Sequence, residues 1–163
     1  MKSKLLKVLI RNGIVAAIYF VLTLVSFPIS FGLIQVRISE ILTLLCFYNP
    51  EYILGVTIGC LLSNILGPGN FGILDIVFGT LATLLSCVFV SLFKKLIFAC
   101  IFPVIINGFV VGAVIYFSTE TLPFFAVVGL IALGEFIAIS LGYILMSILS
   151  KNRYFTELIG SKR

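Results

Sequence analysis

The chain has 163 residues, of which 61% are hydrophobic and 10% charged, with a formal net charge of +5 and a mean hydropathy of +1.29. A soluble domain carries about 25% charged residues, so this chain has too few polar side chains to cover a core in water, and lipid is the expected solvent for much of its surface. The positive charge does not indicate nucleic acid, because Lys and Arg cluster at the chain ends and at one internal junction, with no soluble scaffold to present a basic face.

A membrane-crossing helix needs about 20 apolar residues. Taken along the chain, that length predicts spans at 6–27, 33–48, 51–66, 71–93, 97–117 and 123–149. The first follows Lys2, Lys4, Lys7 and Arg11, and no small-residue cleavage pattern precedes Pro28, so it reads as a retained span and not a signal peptide. The second and third are short and are separated by Asn49-Pro50. Gly67-Pro68-Gly69-Asn70 breaks the third from the fourth, Lys94-Lys95 the fourth from the fifth, and Leu122-Pro123 opens the sixth. No repeat or linker interrupts the pattern. The expected fold is an all-α integral membrane protein, residues 1–163 forming one compact bundle of six transmembrane helices.

Six spans place both termini on one side. Ten of the eleven Lys and Arg residues fall on that side, so the positive-inside rule predicts a multi-pass protein of the plasma membrane with both termini cytoplasmic. Small residues recur at four-residue spacing, as in Gly13/Ala17, Gly55/Gly59, Gly108/Gly112, Gly134/Ala138 and Ala138/Gly142, which lets helix backbones approach closely in lipid. Cys46, Cys60, Cys87 and Cys100 stand in apolar runs without a CxxC, and the chain has no His. They read as small apolar side chains, and no metal site is expected.

The polar residues inside spans carry more information. Arg37, Glu40, Asp75 and Glu135 lie within predicted helices, joined by Asn64 and Asn107. A charge at the centre of a membrane helix costs about 2.5–3.5 kcal/mol on insertion scales, so each marks a functional site by default. Most of them fall in the outer half of the membrane, which predicts a polar cavity open to the outside. Arg37 and Glu40 are three apart and share a helix face, placed either to pair with each other or to touch a ligand. Gln35 is two residues from Arg37 and on a regular helix points elsewhere. Three carboxylates against one cation suit a small ligand with a positive charge or several N–H donors, and the two Asn amides both donate and accept. Phe31, Tyr48, Phe71, Phe78 and Phe109 could offer ring faces.

Enzymatic chemistry finds little support, since no His base and no serine nucleophile elbow is present; a carboxylate pair could do acid–base work, but nothing else names a reaction. No GxxxxGK[ST] loop binds nucleotide, and the chain lacks the repeated halves of a secondary transporter. A binding subunit powered by a partner fits better.

Several segments together resemble the QueT family. Gln35-Val36-Arg37-Ile38-Ser39-Glu40 is similar to its QxRISE signature. Gly59-Cys60-Leu61-Leu62-Ser63-Asn64, the stretch from Leu74-Asp75 to Leu84, Pro103-Val104-Ile105-Ile106-Asn107-Gly108 and the Gly134-Glu135 step follow in the same order. The resemblance covers about residues 13 to 145. It implies a substrate-binding S component of an energy-coupling factor (ECF) transporter, with the six-helix S-component fold and a queuosine precursor as substrate. That substrate is a 7-deazaguanine bearing an aminomethyl or nitrile group. It also implies three partners: a transmembrane coupling subunit and two ATP-binding subunits, which use the ATP, so that this chain itself needs no cofactor. Gly13, Ala16 and Ala17 match the small residues that dock the family's first helix on the coupling subunit. Arg37, Glu40, Asn64, Asp75, Asn107 and Glu135 become the expected substrate-binding set. An S component for another vitamin-like base, or a stand-alone carrier, are the rival readings.

Overall fold

The structure is a computed structural model and describes residues 2–30, 34–67, 72–119 and 122–162. Among the described residues every regular element is helical. Helix α1 (Lys2–Val25) turns through Ser26 into α2 (Phe27–Ser30). The turn is held by the Ser26 hydroxyl, which donates to Leu22 O at 2.6 Å and lies 2.7 Å from the Ser30 hydroxyl. Residues 34–37 are not helical, Arg37 having an extended backbone (φ −82°, ψ 98°), before a 3-10 helix over Ile38–Leu44 passes into α3 (Leu45–Tyr48). Asn49 breaks the run in an extended conformation, and its side chain caps the next turn by accepting from Glu51 N at 3.1 Å. Pro50 starts that turn, where no amide donor is needed, and α4 (Ile53–Leu66) follows.

A π-helical turn over Asp75–Gly79 leads into α5 (Thr80–Leu92). Then come α6 (Leu96–Ala99), α7 (Ile101–Thr119), α8 (Phe124–Leu149) and a short terminal α9 (Arg153–Leu158) that sequence periodicity did not reveal. Four helical stretches are long and apolar enough to cross a membrane: Leu5–Val25, Asp75–Leu92, Leu96–Thr119 and Phe124–Leu149. The second and third of the six expected spans are shorter apolar helices, Ile38–Tyr48 and Pro50–Leu66. The first of these begins five residues later than the span predicted from residue 33, because Gln35 to Arg37 are not helical.

The bundle is inverted relative to a soluble protein. Ile73, Phe117, Phe125, Phe136, Leu141 and Ile148 face outward, whereas Thr23, Ser39, Thr43, Asn64 and Asp75 are buried. Helix α7 packs mainly on α8, α1 on α4, and α5 between α4 and α7, while the 3-10 segment lies on α8. The small-residue pairs mark these crossings. A Cβ on Gly55 would sit 2.7 Å from Asn12 O and one on Gly59 2.9 Å from Ala16 O, so α1 and α4 touch backbone to backbone. Gly108 and Gly112 meet Ala132 and Val128 of α8 in the same way.

The C-terminal segment folds back on the Asn49–Tyr52 junction. Asn49 Nδ2 donates to Ile159 O at 3.2 Å and Gly160 O at 3.0 Å, Tyr52 OH donates to Ile159 O at 3.1 Å, and Lys162 reaches Glu51 at 2.8 Å. Ile159 is buried in the main core beside Tyr48 and Tyr52.

Candidate ligand site

The extended stretch before the 3-10 helix organises the site. Its backbone presses on α8 at Gly134, where a Cβ would stand 2.7 Å from the Gln35 carbonyl carbon. Only a residue without a side chain admits that approach, and the next residue, Glu135, is thereby brought beside the stretch. On an extended chain residues two apart lie on one side. Gln35 and Arg37 therefore line the same hollow, contrary to the expectation from helical periodicity that Gln35 points elsewhere.

The hollow is bounded by Gln35, Arg37, Glu40, Asn107, Val111, Ile131 and Glu135. Its volume of about 10 Å³ gives room for roughly one water molecule. Glu40 is 1% exposed and Glu135 3%, so the site is a tight buried pocket and not the open cavity that residue depth suggested. Glu135 Oε1 accepts from Asn107 Nδ2 at 3.0 Å, joining α8 to α7. Glu40 Oε1 accepts from the Tyr19 hydroxyl and, at 3.2 Å, from Thr83 Oγ1, joining the 3-10 helix to α1 and α5. Thr83 Oγ1 is also 3.2 Å from Cys60 Sγ. The carboxylate is the stronger acceptor for its single proton. Behind Glu40, the Ser39 and Thr23 hydroxyls are 2.7 Å apart and Thr23 donates to Tyr19 O at 3.0 Å, bracing the segment against α1.

Arg37 pairs across elements. Arg37 Nη2 lies 3.7 Å from Asp75 Oδ2. Asp75 and Asn64 are fully buried and do not line the hollow. Asn64 Nδ2 donates to Asp75 O at 3.1 Å, clasping the π turn, and Gly79 leaves the space this needs, since a Cβ there would fall 2.7 Å from Asp75 Oδ1. The six expected residues thus form two adjoining groups, with Arg37 in both. Tyr19, Thr83 and Gln35 belong to the site and were missed. The signal for Tyr19 was its four-residue spacing from Thr23 in the otherwise apolar stretch Gly13–Val25.

Other expectations divide. Gly13 and Ala17 are exposed on α1, whereas Ala16 is buried against α4. Phe31 and Phe71 lie outside the described residues. Phe78 and Phe109 border an apolar groove on the outer face with Leu74, Val110 and Phe117, and Tyr48 donates to Met146 O at 3.4 Å, away from the hollow. Among the described residues no group of three metal-ligating side chains occurs.

A scan of family models matches residues 9–151 to the QueT transporter family. The chain belongs to that family. It is 37% identical over 164 aligned residues to the queuosine precursor transporter QueT of Lactococcus lactis subsp. cremoris (strain MG1363), covering 88% of this chain and 92% of that protein. No solved structure matches the chain. Membership in the QueT family, with four apolar helices of spanning length, makes the chain an integral membrane transporter protein, and the residues that line the hollow lie within the matched region 9–151.

Proposed function

We propose that this QueT family member is the substrate-specificity (S) subunit of an ECF-type importer. It captures a queuosine precursor, a 7-deazaguanine with an aminomethyl or nitrile group, from outside the cell. A transmembrane coupling subunit and two ATP-binding subunits supply the energy, and Gly13 and Ala17 offer the small, exposed face on α1 for the first of these. The proposed topology keeps six membrane segments, two of them short, with both termini cytoplasmic. The enzyme reading is set aside.

One observation carries the reading: two carboxylates, Glu40 and Glu135, from separate elements face a single buried hollow in a bundle whose outer surface is apolar. A buried carboxylate is costly unless something matches it, and a ligand with N–H donors or a positive charge does so with charge-assisted hydrogen bonds. Asn107 and Gln35 add amide groups to the same wall, while Asp75 and Asn64 serve the site through Arg37. A hollow this small must widen to admit a bicyclic base, so binding includes movement of the wall.

Calorimetry on the purified chain tests the reading. Binding of 7-aminomethyl-7-deazaguanine in preference to guanine, thiamine and riboflavin is expected, and preference for one of those three would move the chain to another vitamin-like base. In proteoliposomes, the chain alone should bind without net uptake. Uptake without any ATPase would make it a stand-alone carrier.

A further inference from the structure

Glu40 has a lopsided environment. Both of its protein donors, the Tyr19 hydroxyl from α1 and Thr83 Oγ1 from α5, converge on Oε1. Its Oε2 is buried and has no hydrogen-bond partner among the described residues. A buried acceptor left unmet is costly and uncommon, and this one belongs to a residue that lines the hollow. Neither Tyr19 nor Thr83 borders the hollow. Both are almost wholly shielded from solvent, Tyr19 in the core and Thr83 beside Cys60.

We propose that Tyr19 and Thr83 are positioning residues that fix Glu40 by one carboxylate oxygen and hold the other, Oε2, for a donor group on the bound ligand. This inference rests on the transporter reading and narrows its ligand class. The partner of Oε2 is an N–H or ammonium group, and a ligand that presents only acceptors or an anion at that edge is rejected. Selectivity is set in part by α1 and α5, which touch the ligand nowhere. The Ser39–Thr23–Tyr19 chain of hydrogen bonds ties this arrangement to the backbone of α1.

Three substitutions isolate the effect. Tyr19→Phe and Thr83→Val remove one donor each while keeping shape, and Thr83→Ser retains the donor. Two readouts are needed. The first uses no ligand: the carboxyl stretching band that disappears in Glu40→Gln is located by infrared spectroscopy, and it is expected to shift in Tyr19→Phe and Thr83→Val but not in Thr83→Ser. The second is affinity for 7-aminomethyl-7-deazaguanine, expected to fall at least fivefold in Tyr19→Phe and Thr83→Val and to stay within twofold in Thr83→Ser. In a Glu40→Gln background, adding Tyr19→Phe should change affinity no further, because the residue acts only through Glu40. An unmoved infrared band in both donor-deleted variants, or a further full loss in the double variant, overturns the proposal. If the wild-type chain does not bind the deazaguanine, the substrate reading fails, and the infrared measurement alone decides the positioning.

Discussion

Gly134 and Glu135 show how adjacent residues divide structure from chemistry. Gly134 admits the backbone of the 35–37 stretch, and Glu135 meets what that stretch brings. Gly134→Ala is therefore expected to push the stretch off α8 and weaken deazaguanine binding at least tenfold, read by calorimetry. Glu135→Gln should abolish binding with little loss of thermal stability in detergent, because Asn107 can still donate to the Gln carbonyl oxygen. Asp75 behaves differently, since it is fully buried and 3.7 Å from Arg37. Removing one partner of a buried ion pair costs about 3–5 kcal/mol. Asp75→Asn should then lower the unfolding midpoint markedly, measured by thermal denaturation in detergent, with the loss of affinity as its consequence. Each of these charged positions was legible in the sequence, because a carboxylate or Arg inside an apolar run is conspicuous. Tyr19, Thr83 and Gln35 were not, because neutral polar residues are tolerated in such runs and only their neighbours give them a role.

The elements differ in how openly the sequence declared them. Helices α1, α5, α7 and α8 follow from length and apolarity, and each lies in one of the four stretches long and apolar enough to cross a membrane. The segment over Ile38–Tyr48 departs most, being 3-10 for seven residues and preceded by an extended approach. Hydropathy does not distinguish a 3-10 from an α-helix, and this one packs closely on α8, where Gly142 meets Ile41 and Leu44. The terminal helix α9 was missed because it is six residues long and mixed in polarity. It is fastened by Asn49, which makes two bonds to the segment and one to its own turn. Asn49→Ala should release that segment. Amide hydrogen exchange over residues 153–161 is expected to accelerate, with a stability loss of about 1–3 kcal/mol from the lost cap and bonds.

For the molecule as a whole, large apolar side chains are exposed along the bundle, while Arg37, Glu40, Asp75 and Glu135 are buried within it. The proposed topology has Lys2, Lys7, Lys94, Lys95, Lys151 and Lys162 on one side of the membrane. Single cysteines introduced at Ser3 and Ser161, in a chain whose four native Cys are replaced by Ala, should both react with a membrane-impermeant maleimide only from the cytoplasmic side. Labelling of either from outside would invert the topology and put the capture site on the wrong face.

Composition by itself determined that this chain lives in lipid, and the order of its polar motifs determined the family. Both are properties of residue identity and spacing along the chain, which survive without knowledge of packing. Tertiary structure decided that Arg37 meets Asp75, that Gln35 shares a wall with Glu40 and Glu135, and that one oxygen of Glu40 is held from α1 and α5. Those are contacts between elements far apart in sequence. Their geometry depends on how closely backbones approach, and periodicity within a single helix carries no record of that distance.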